Sequence, residues 1–325
     1  MNPVRMGVVG VGRFGRLHAL TLAGLAEARL VALVDADPHA RAALAAELPG
    51  VPCWDAFEPA LRESGAEAWV IATQTASHIA LAGAALRAGA TVLIEKPLAP
   101  TLAEARRLAP LVAPQSRNVM LGHVLLFAPE MRHIAREARQ RGRLRYIQAE
   151  RHRPDATIAR FGGESPLRLL MIHDLALVLA LAGDAEPARV AAALHRRHGD
   201  GAIDLAIARL EWDDGLWAGL TASYLTPPGM PDDGFDRFEV YGQGWAGRAQ
   251  LNPQPVSIWA DRHEWPLTLA IDSDPAAPSG WLAEELRMFC RVARGAVPPP
   301  GTRFEDGVRL LGWLERLEAA AQHGA

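Results

Sequence analysis

The sequence predicts a doubly wound parallel α/β sheet, followed by an α+β domain with a largely antiparallel open sheet. Three observations predict it. Short apolar runs alternate with helix-like segments up to about residue 122, the rhythm of a parallel sheet covered on both faces. Strand-like runs then follow one another from residue 189 to 259 with no helix between them. A Gly-x-Gly-x-x-Gly spacing sits directly after the first apolar run. At 325 residues the chain exceeds one ordinary core, so two domains are expected: residues 1–122 and 123–325, with the C-terminal helix packing back on the first.

The first unit is organised by Met6-Gly7-Val8-Val9, the turn Gly10-Val11-Gly12-Arg13-Phe14-Gly15 and a helix carrying Phe14, Leu17, Leu20, Thr21 and Leu25 at helical spacing. Leu30 to Val34 is a second buried strand, ended by Asp35 about 20 residues after the glycines, as a dinucleotide fingerprint requires. Gly10 permits the tight turn, Gly12 lets the backbone approach a pyrophosphate, and Gly15 lets helix and strand pack closely. The helix start offers N–H groups and a positive dipole end to phosphates. Asp35 would accept hydrogen bonds from ribose hydroxyls and repel a 2′-phosphate, which favours NAD over NADP. Helices are expected over 38–48, 57–63, 78–88 and 101–112. Strands are expected at 53–54, 69–72, 91–94 and 118–121. The ends of the strands at Thr73-Gln74-Thr75 and Glu95-Lys96-Pro97 matter most, because ligands of parallel sheets bind there.

In the second half, a helix is expected over 129–140, a strand from Leu144, and one apolar helix over 167–181 with His173 and Asp174 in its middle. Strands are expected at 189–194, 203–212, 216–224, 235–241 and 256–259, with Asp214-Gly215 as a hairpin turn. Helices at 280–294 and 304–321 close the chain.

Composition narrows the function. A net charge of −3 argues against nucleic acid, which needs a surplus of Lys and Arg. Cys53 and Cys290 stand far apart, in neither a metal nor a redox spacing, so no metal site is expected. No charged segment followed by an apolar core opens the chain, and the most apolar stretch, 175–181, is too short to span a bilayer. A cytoplasmic protein without membrane partners is expected.

The chain resembles the glucose-fructose oxidoreductase / inositol dehydrogenase / MocA family nearly end to end. The resemblance rests on the glycine turn, Thr73-Gln74-Thr75-Ala76-Ser77-His78, Glu95-Lys96-Pro97-Leu98 and His173-Asp174. It implies a Rossmann domain, an open sheet serving as a homodimer or homotetramer interface, and hydride transfer between a nicotinamide cofactor and a hydroxyl or carbonyl of a sugar, cyclitol or nucleotide-linked sugar. Carried over by position, Lys96 and His173 are the catalytic pair, and Pro97 follows a peptide that is often cis in the family. Gly10, Gly12, Arg13, Phe14, Gly15, Asp35, Thr73, Thr75, His78, Glu95, Lys96 and Pro97 are placed at the cofactor. His123, Arg153 and Arg168 are placed at the substrate, as part of an arginine group, with Arg151 and Arg160, suited to a phosphate or carboxylate. Two positions depart from the family. Leu169 stands where many relatives carry an aspartate four residues before the histidine, and Leu125-Leu126 stand where an arginine is common. The first departure keeps open a non-catalytic NAD- or ligand-binding protein, and the resemblance itself, through relatives that cleave glycosides, keeps open a redox-neutral enzyme using retained NAD.

Overall fold

The computed structural model describes residues 2–197, 199, 201–227, 230, 234–253, 258–259, 263–264 and 270–323. The chain divides into two compact units, Met1–Phe127 with Thr268–Leu311, and Ala128–Leu267 with Gly312–Ala325.

The first unit alternates strand and helix. Its elements are β1 (Val4–Val9), α1 (Arg13–Gly24), β2 (Ala28–Val34), α2 (Pro38–Glu47), β3 (Cys53–Trp54), α3 (Phe57–Glu63), β4 (Ala68–Ile71), α4 (His78–Arg87), β5 (Thr91–Glu95), α5 (Leu102–Arg106) and β6 (Val119–Gly122). All neighbours pair in parallel, in the order β3-β2-β1-β4-β5-β6. Met6, Val8, Val70, Ile71, Leu93 and Ile94 are fully buried, as strands covered on both faces must be. The order reverses between β1 and β4, which opens a crevice at their carboxyl ends.

Glycines set the closest approaches. Gly10 holds φ +82°, and a Cβ at Gly15 would lie 1.7 Å from the Gly10 carbonyl oxygen. The inward face of α1 is Gly15, His18, Ala19 and Leu22, whereas Leu17 is half-exposed. The helix expected over 101–112 stops at Arg106. Pro110 has no N–H, and its ring would strike the Arg106 carbonyl of a continuing helix, so a 3-10 turn, Ala109–Leu111, follows instead.

The second unit contains α6 (Pro129–Arg141), β7 (Leu144–Pro154), α7 (Ala156–Arg160), α8 (Pro166–Leu169), α9 (Met171–Ala182), β8 (Arg189–Arg196), β9 (Ile203–Glu211), β10 (Trp217–Thr226), β11 (Phe235–Gly242) and β12 (Trp245–Asn252). Its sheet runs β12-β11-β7-β10-β9-β8, with β7 and β10 parallel and every other pair antiparallel. Gly215, at φ +88°, turns the β9–β10 hairpin, where Trp212 N–H donates to the Leu216 carbonyl at 2.9 Å.

Two expectations change here. The single helix over 167–181 is broken at Leu170 (φ −104°, ψ −55°), where α8 ends and α9 begins. Ser165 caps α8, and the His173 N–H turns to the Leu170 carbonyl at 3.2 Å. Leu169 and His173 thus stand on different helices rather than one turn apart on a single face. The strand β12 was not expected. It is an edge strand whose inward residues, Ala249 and Leu251, alternate with exposed Arg248 and Gln250, which leaves little apolar signal.

Of the strand expected at 256–259, residues 256–257 lie outside the described residues. Ile258–Trp259 form β13, paired with β14 (His263–Glu264). The chain then passes β15 (Ile271–Asp272), α10 (Gly280–Ala293) and α11 (Phe304–His323). Within the first unit α10 packs against α1, β5 and β6. Among the described residues no helix is long and apolar enough to cross a membrane.

The Gly15 contact is directly testable. Gly15→Ala should cost about 3 kcal/mol, the upper range for overpacking. Gly12→Ala, whose Cβ would meet nothing within 4 Å, should cost less than about 0.5 kcal/mol. Urea unfolding of the two variants measures the difference.

Candidate active site

The residues expected at the cofactor gather at the carboxyl ends of β1, β2, β4 and β5. After β1, Gly12 is the N-cap of α1 and makes no side-chain cap, so the first-turn N–H groups rely on other acceptors. The space over Gly12 is open, whereas Gly10 is pressed against Ala72 and Thr73, each 2.7 Å from where its Cβ would be. Packing inside the protein therefore explains glycine at 10 and 15. At 12 the open space fits the approach of a phosphate group. Arg13 is exposed, and Phe14 packs edge-on against the His18 ring at 5.1 Å.

Asp35 follows β2. Its Oδ2 accepts from the Val11 N–H at 2.7 Å and its Oδ1 from the Asp37 N–H at 2.9 Å, which ties the end of β2 to the glycine turn. Each oxygen keeps a lone pair for a further donor. Arg41 reaches the same turn, but it donates to the Asp35 and Ala36 carbonyls.

His78 joins the ends of β4 and β5. It is buried, with Nε2 3.0 Å from the Thr73 carbonyl oxygen and Nδ1 3.0 Å from that of Pro97. Thr73 Oγ1 also meets Ser77 Oγ at 2.7 Å, and Thr75 opens the 3-10 turn between them. The Lys96-Pro97 peptide is cis. Glu95 turns inward rather than toward the crevice. Its Oε1 lies 2.9 Å from His18 Nε2, and its Oε2 accepts from the Lys96 N–H at 3.1 Å. Lys96 itself is half-buried.

His173 belongs to the second unit and is half-buried. Its neighbour Asp174 is buried. Arg151 on β7 forks onto Asp174 at 2.9 and 3.1 Å and reaches Asp236 on β11 at 2.7 Å. Arg153 and Asn252 complete the Asp236 shell at 2.6–2.8 Å. Burial opposes the Asp236 anion, but Arg151 and Arg153 outweigh it and hold its carboxyl below the usual range.

These partners account for three of the four arginines expected at an anion site. The forks of Arg151 and Arg153 are spent on Asp174 and Asp236, and Arg168 pairs with Glu318 at 2.5 and 2.6 Å. His123 is likewise turned inward. It is 4% exposed and donates from Nδ1 to the Gly301 carbonyl at 2.7 Å.

Sequence reasoning missed His18, Glu285 and Asp236. The first two carried a faint signal: each is a polar residue on a helix face otherwise filled by small or apolar side chains, Ala19 and Leu22 in α1, Leu282, Leu286 and Phe289 in α10.

Fold and site together define a dinucleotide-binding α/β unit coupled in one chain to a mostly antiparallel α+β unit. Residues 4–123 match the oxidoreductase family with an NAD-binding Rossmann fold, and residues 132–245 match the GFO/IDH/MocA C-terminal domain. The chain belongs to the GFO/IDH/MocA oxidoreductase family. It is 35% identical over 225 residues to a UDP-N-acetylglucosamine 3-dehydrogenase of Acidithiobacillus ferrooxidans, covering 69% of this chain and 68% of the relative. It is 32% identical over 268 residues to an inositol 2-dehydrogenase of Rhizobium meliloti, covering 78% of each. A solved structure of the A. ferrooxidans UDP-N-acetylglucosamine 3-dehydrogenase superposes with a TM-score of 0.79 at 29% identity, covering 99% of both chains.

The buried histidines make stability depend on pH. Burial pushes the pKa of His78 and His123 down, against the carbonyls that pull it up. Below about pH 6.5 the unfolded chain therefore binds more protons than the folded one, and stability falls on acidification. The two imidazoles should lower urea midpoints between about pH 7 and pH 5 relative to variants that lack them. His123→Asn, which keeps a donor for Gly301, should reduce that drop.

Proposed function

We propose that this chain is an NAD-dependent oxidoreductase acting on a hydroxyl or carbonyl of a sugar, cyclitol or nucleotide-linked sugar. The observation that carries the reading is the convergence of the Gly10–Gly15 turn, Asp35, Thr73 and the Glu95-Lys96-Pro97 turn at the β1/β4 switch. Relatives that act on inositol and on a UDP-linked amino sugar support the substrate class.

When bound, NAD supplies the hydride acceptor. The open face of Gly12, the first-turn N–H groups of Arg13, Phe14 and Gly15, and the α1 dipole suit a pyrophosphate. The remaining lone pairs of Asp35 suit ribose hydroxyls, and its charge opposes a 2′-phosphate. Arg41, held by main-chain carbonyls, is not turned to a phosphate. That combination favours NAD over NADP. Thr73, Thr75 and His78 shape the middle of the site, with His78 bracing the Thr73 turn against Pro97.

By their positions in the family, Lys96 and His173 are the residues proposed for the chemical step: an imidazole suits acceptance of the hydroxyl proton as the alcohol carbon becomes a carbonyl, and a lysine ammonium suits stabilisation of alkoxide charge. Leu169 offers no carboxylate to His173, and the Arg151 fork on Asp174 fixes the helix start on which His173 stands.

The second sheet also supports assembly of two or more copies. Ile207, Trp217 and Tyr241 are 49%, 43% and 39% exposed on its strands, an apolar content that a partner copy would cover. The unpaired Cys53 and Cys290 fit a reducing compartment such as the cytoplasm.

The test is a spectrophotometric panel of cyclitols, sugars and UDP-linked amino sugars. His173→Asn and Lys96→Ala should each lower kcat by about 10²–10⁴-fold. Bound cofactor with no turnover across the panel would overturn the reading. Turnover without net change at the nicotinamide band would replace it with the redox-neutral reaction. Separately, Asp35→Ala should weaken NAD about tenfold and narrow the preference over NADP, since a charge-assisted hydrogen bond is lost. Calorimetric titration with both cofactors reads this directly.

A further inference from the structure

Behind Lys96, wholly inside the first unit, three ionisable side chains meet in the buried interior. His18 of α1, Glu95 of β5 and Glu285 of α10 each bring a ligand atom within 4.8 Å of the others, and all three are buried. Their hydrogen bonding is unequal. The Glu95 carboxylate has two N–H partners, His18 Nε2 at 2.9 Å and the Lys96 backbone at 3.1 Å. It is also wedged against Gly122, where a Cβ would lie 2.6 Å from Oε1. Glu285 is 0% exposed, and neither of its carboxylate oxygens has a partner.

Two carboxylates this close in an apolar interior cannot both carry charge. The anion belongs on the one that N–H groups stabilise, and the proton on the one that has none. We propose that Glu285 is a positioning residue, a carboxylic acid kept neutral beside the Glu95 anion so that Glu95 can hold the Lys96 turn to α1. The elements packed on α10 bring few other charges. His18 comes from α1 and Glu95 from β5, β6 and the 3-10 turn Val124–Phe127 contribute none, β15 carries Asp272, whose Oδ1 accepts from the Asp274 N–H, and His123 lies beyond Glu95 with its Nδ1 committed to Gly301. Burial first and Glu95 second push the Glu285 carboxyl well above the usual range, in agreement with the geometry.

The consequence follows from linkage. The folded chain keeps a proton on Glu285 that the unfolded chain releases above the ordinary carboxylate range, so Glu285 lowers stability progressively as pH rises toward its own raised pKa. Glu285→Gln has the shape of the neutral acid and cannot ionise. From about pH 5 to pH 8 the wild type should lose thermal stability relative to E285Q, with the variant melting on the order of 2–4 °C higher at the upper end. NAD affinity should weaken over the alkaline range in the wild type and stay flat in E285Q. The wild-type infrared spectrum should contain a carboxylic-acid C=O band at neutral pH that E285Q lacks.

The inference rests on Lys96 working at the cofactor only for the affinity measurement. The melting and infrared measurements need no cofactor, so they fail independently of the proposed function. Equal pH dependence of melting in both proteins, or no acid band, overturns the proposal. So does a near-stoichiometric divalent metal in the wild type that E285Q loses, which would make the three residues a metal site instead.

Discussion

The seat of α1 on the turn after β1 is the constraint on which the first unit depends. With no side chain at Gly15, the helix closes on the Gly10 carbonyl to a distance that any Cβ would forbid. That contact fixes the rotation of α1, and the rotation decides which residues look inward. His18, one turn after Gly15, is driven into the interior and meets Glu95 at the end of β5. Glu95 in turn receives the Lys96 N–H. A chain of short contacts thus runs from a backbone approach at residue 15 to the turn that carries the lysine. Gly12, which the protein leaves open, takes no part in it. The three glycines of one motif therefore divide into two that build the scaffold and one that faces outward.

Much of this was legible in the sequence because it is local. A buried parallel strand shows as a continuous apolar run, a helix as a 3.6-residue period, and a positive φ as glycine. The alternation over β1 to β6, the Asp214-Gly215 hairpin and the position of Asp35 all follow from such signals. The misreadings have local causes too. Pro110 ends a helix that composition alone extends to residue 112. The break at Leu170 lies inside a run of leucines whose hydrophobicity looks the same across two helices as along one. β12 alternates, but with alanine and glycine in place of larger side chains, as an edge strand can.

What could not be read is partnership across long separations. The arginines of β7 and α8 form a basic group in sequence, and a basic group without visible carboxylates looks like an anion site. The carboxylates are Asp236, 83 residues beyond Arg153, and Glu318, 150 residues beyond Arg168. Likewise His18 and Glu95 are 77 residues apart, and Glu285 arrives only when α10 returns to the first unit. Position along the chain says what a side chain is, but only the fold says whether its charge is already spent.

Each residue proposed for the chemical step thus stands next to a buried charged side chain. Lys96 follows Glu95, which is fixed by His18, and His173 precedes Asp174, which is fixed by Arg151. Burying an ion pair seldom adds stability, because desolvation offsets the attraction, and a well-packed apolar set would often serve folding as well. Apolar packing is tolerant of small rotations, however, while a two-pronged guanidinium or a carboxylate held by two N–H groups is not. The Arg151 fork admits one orientation of Asp174 and, through it, one position for the start of α9. Directional contacts of this kind are what hydride and proton transfer need, since both fall off steeply when the reacting groups drift. The buried charges are best understood as orienting devices whose desolvation cost is accepted for geometry.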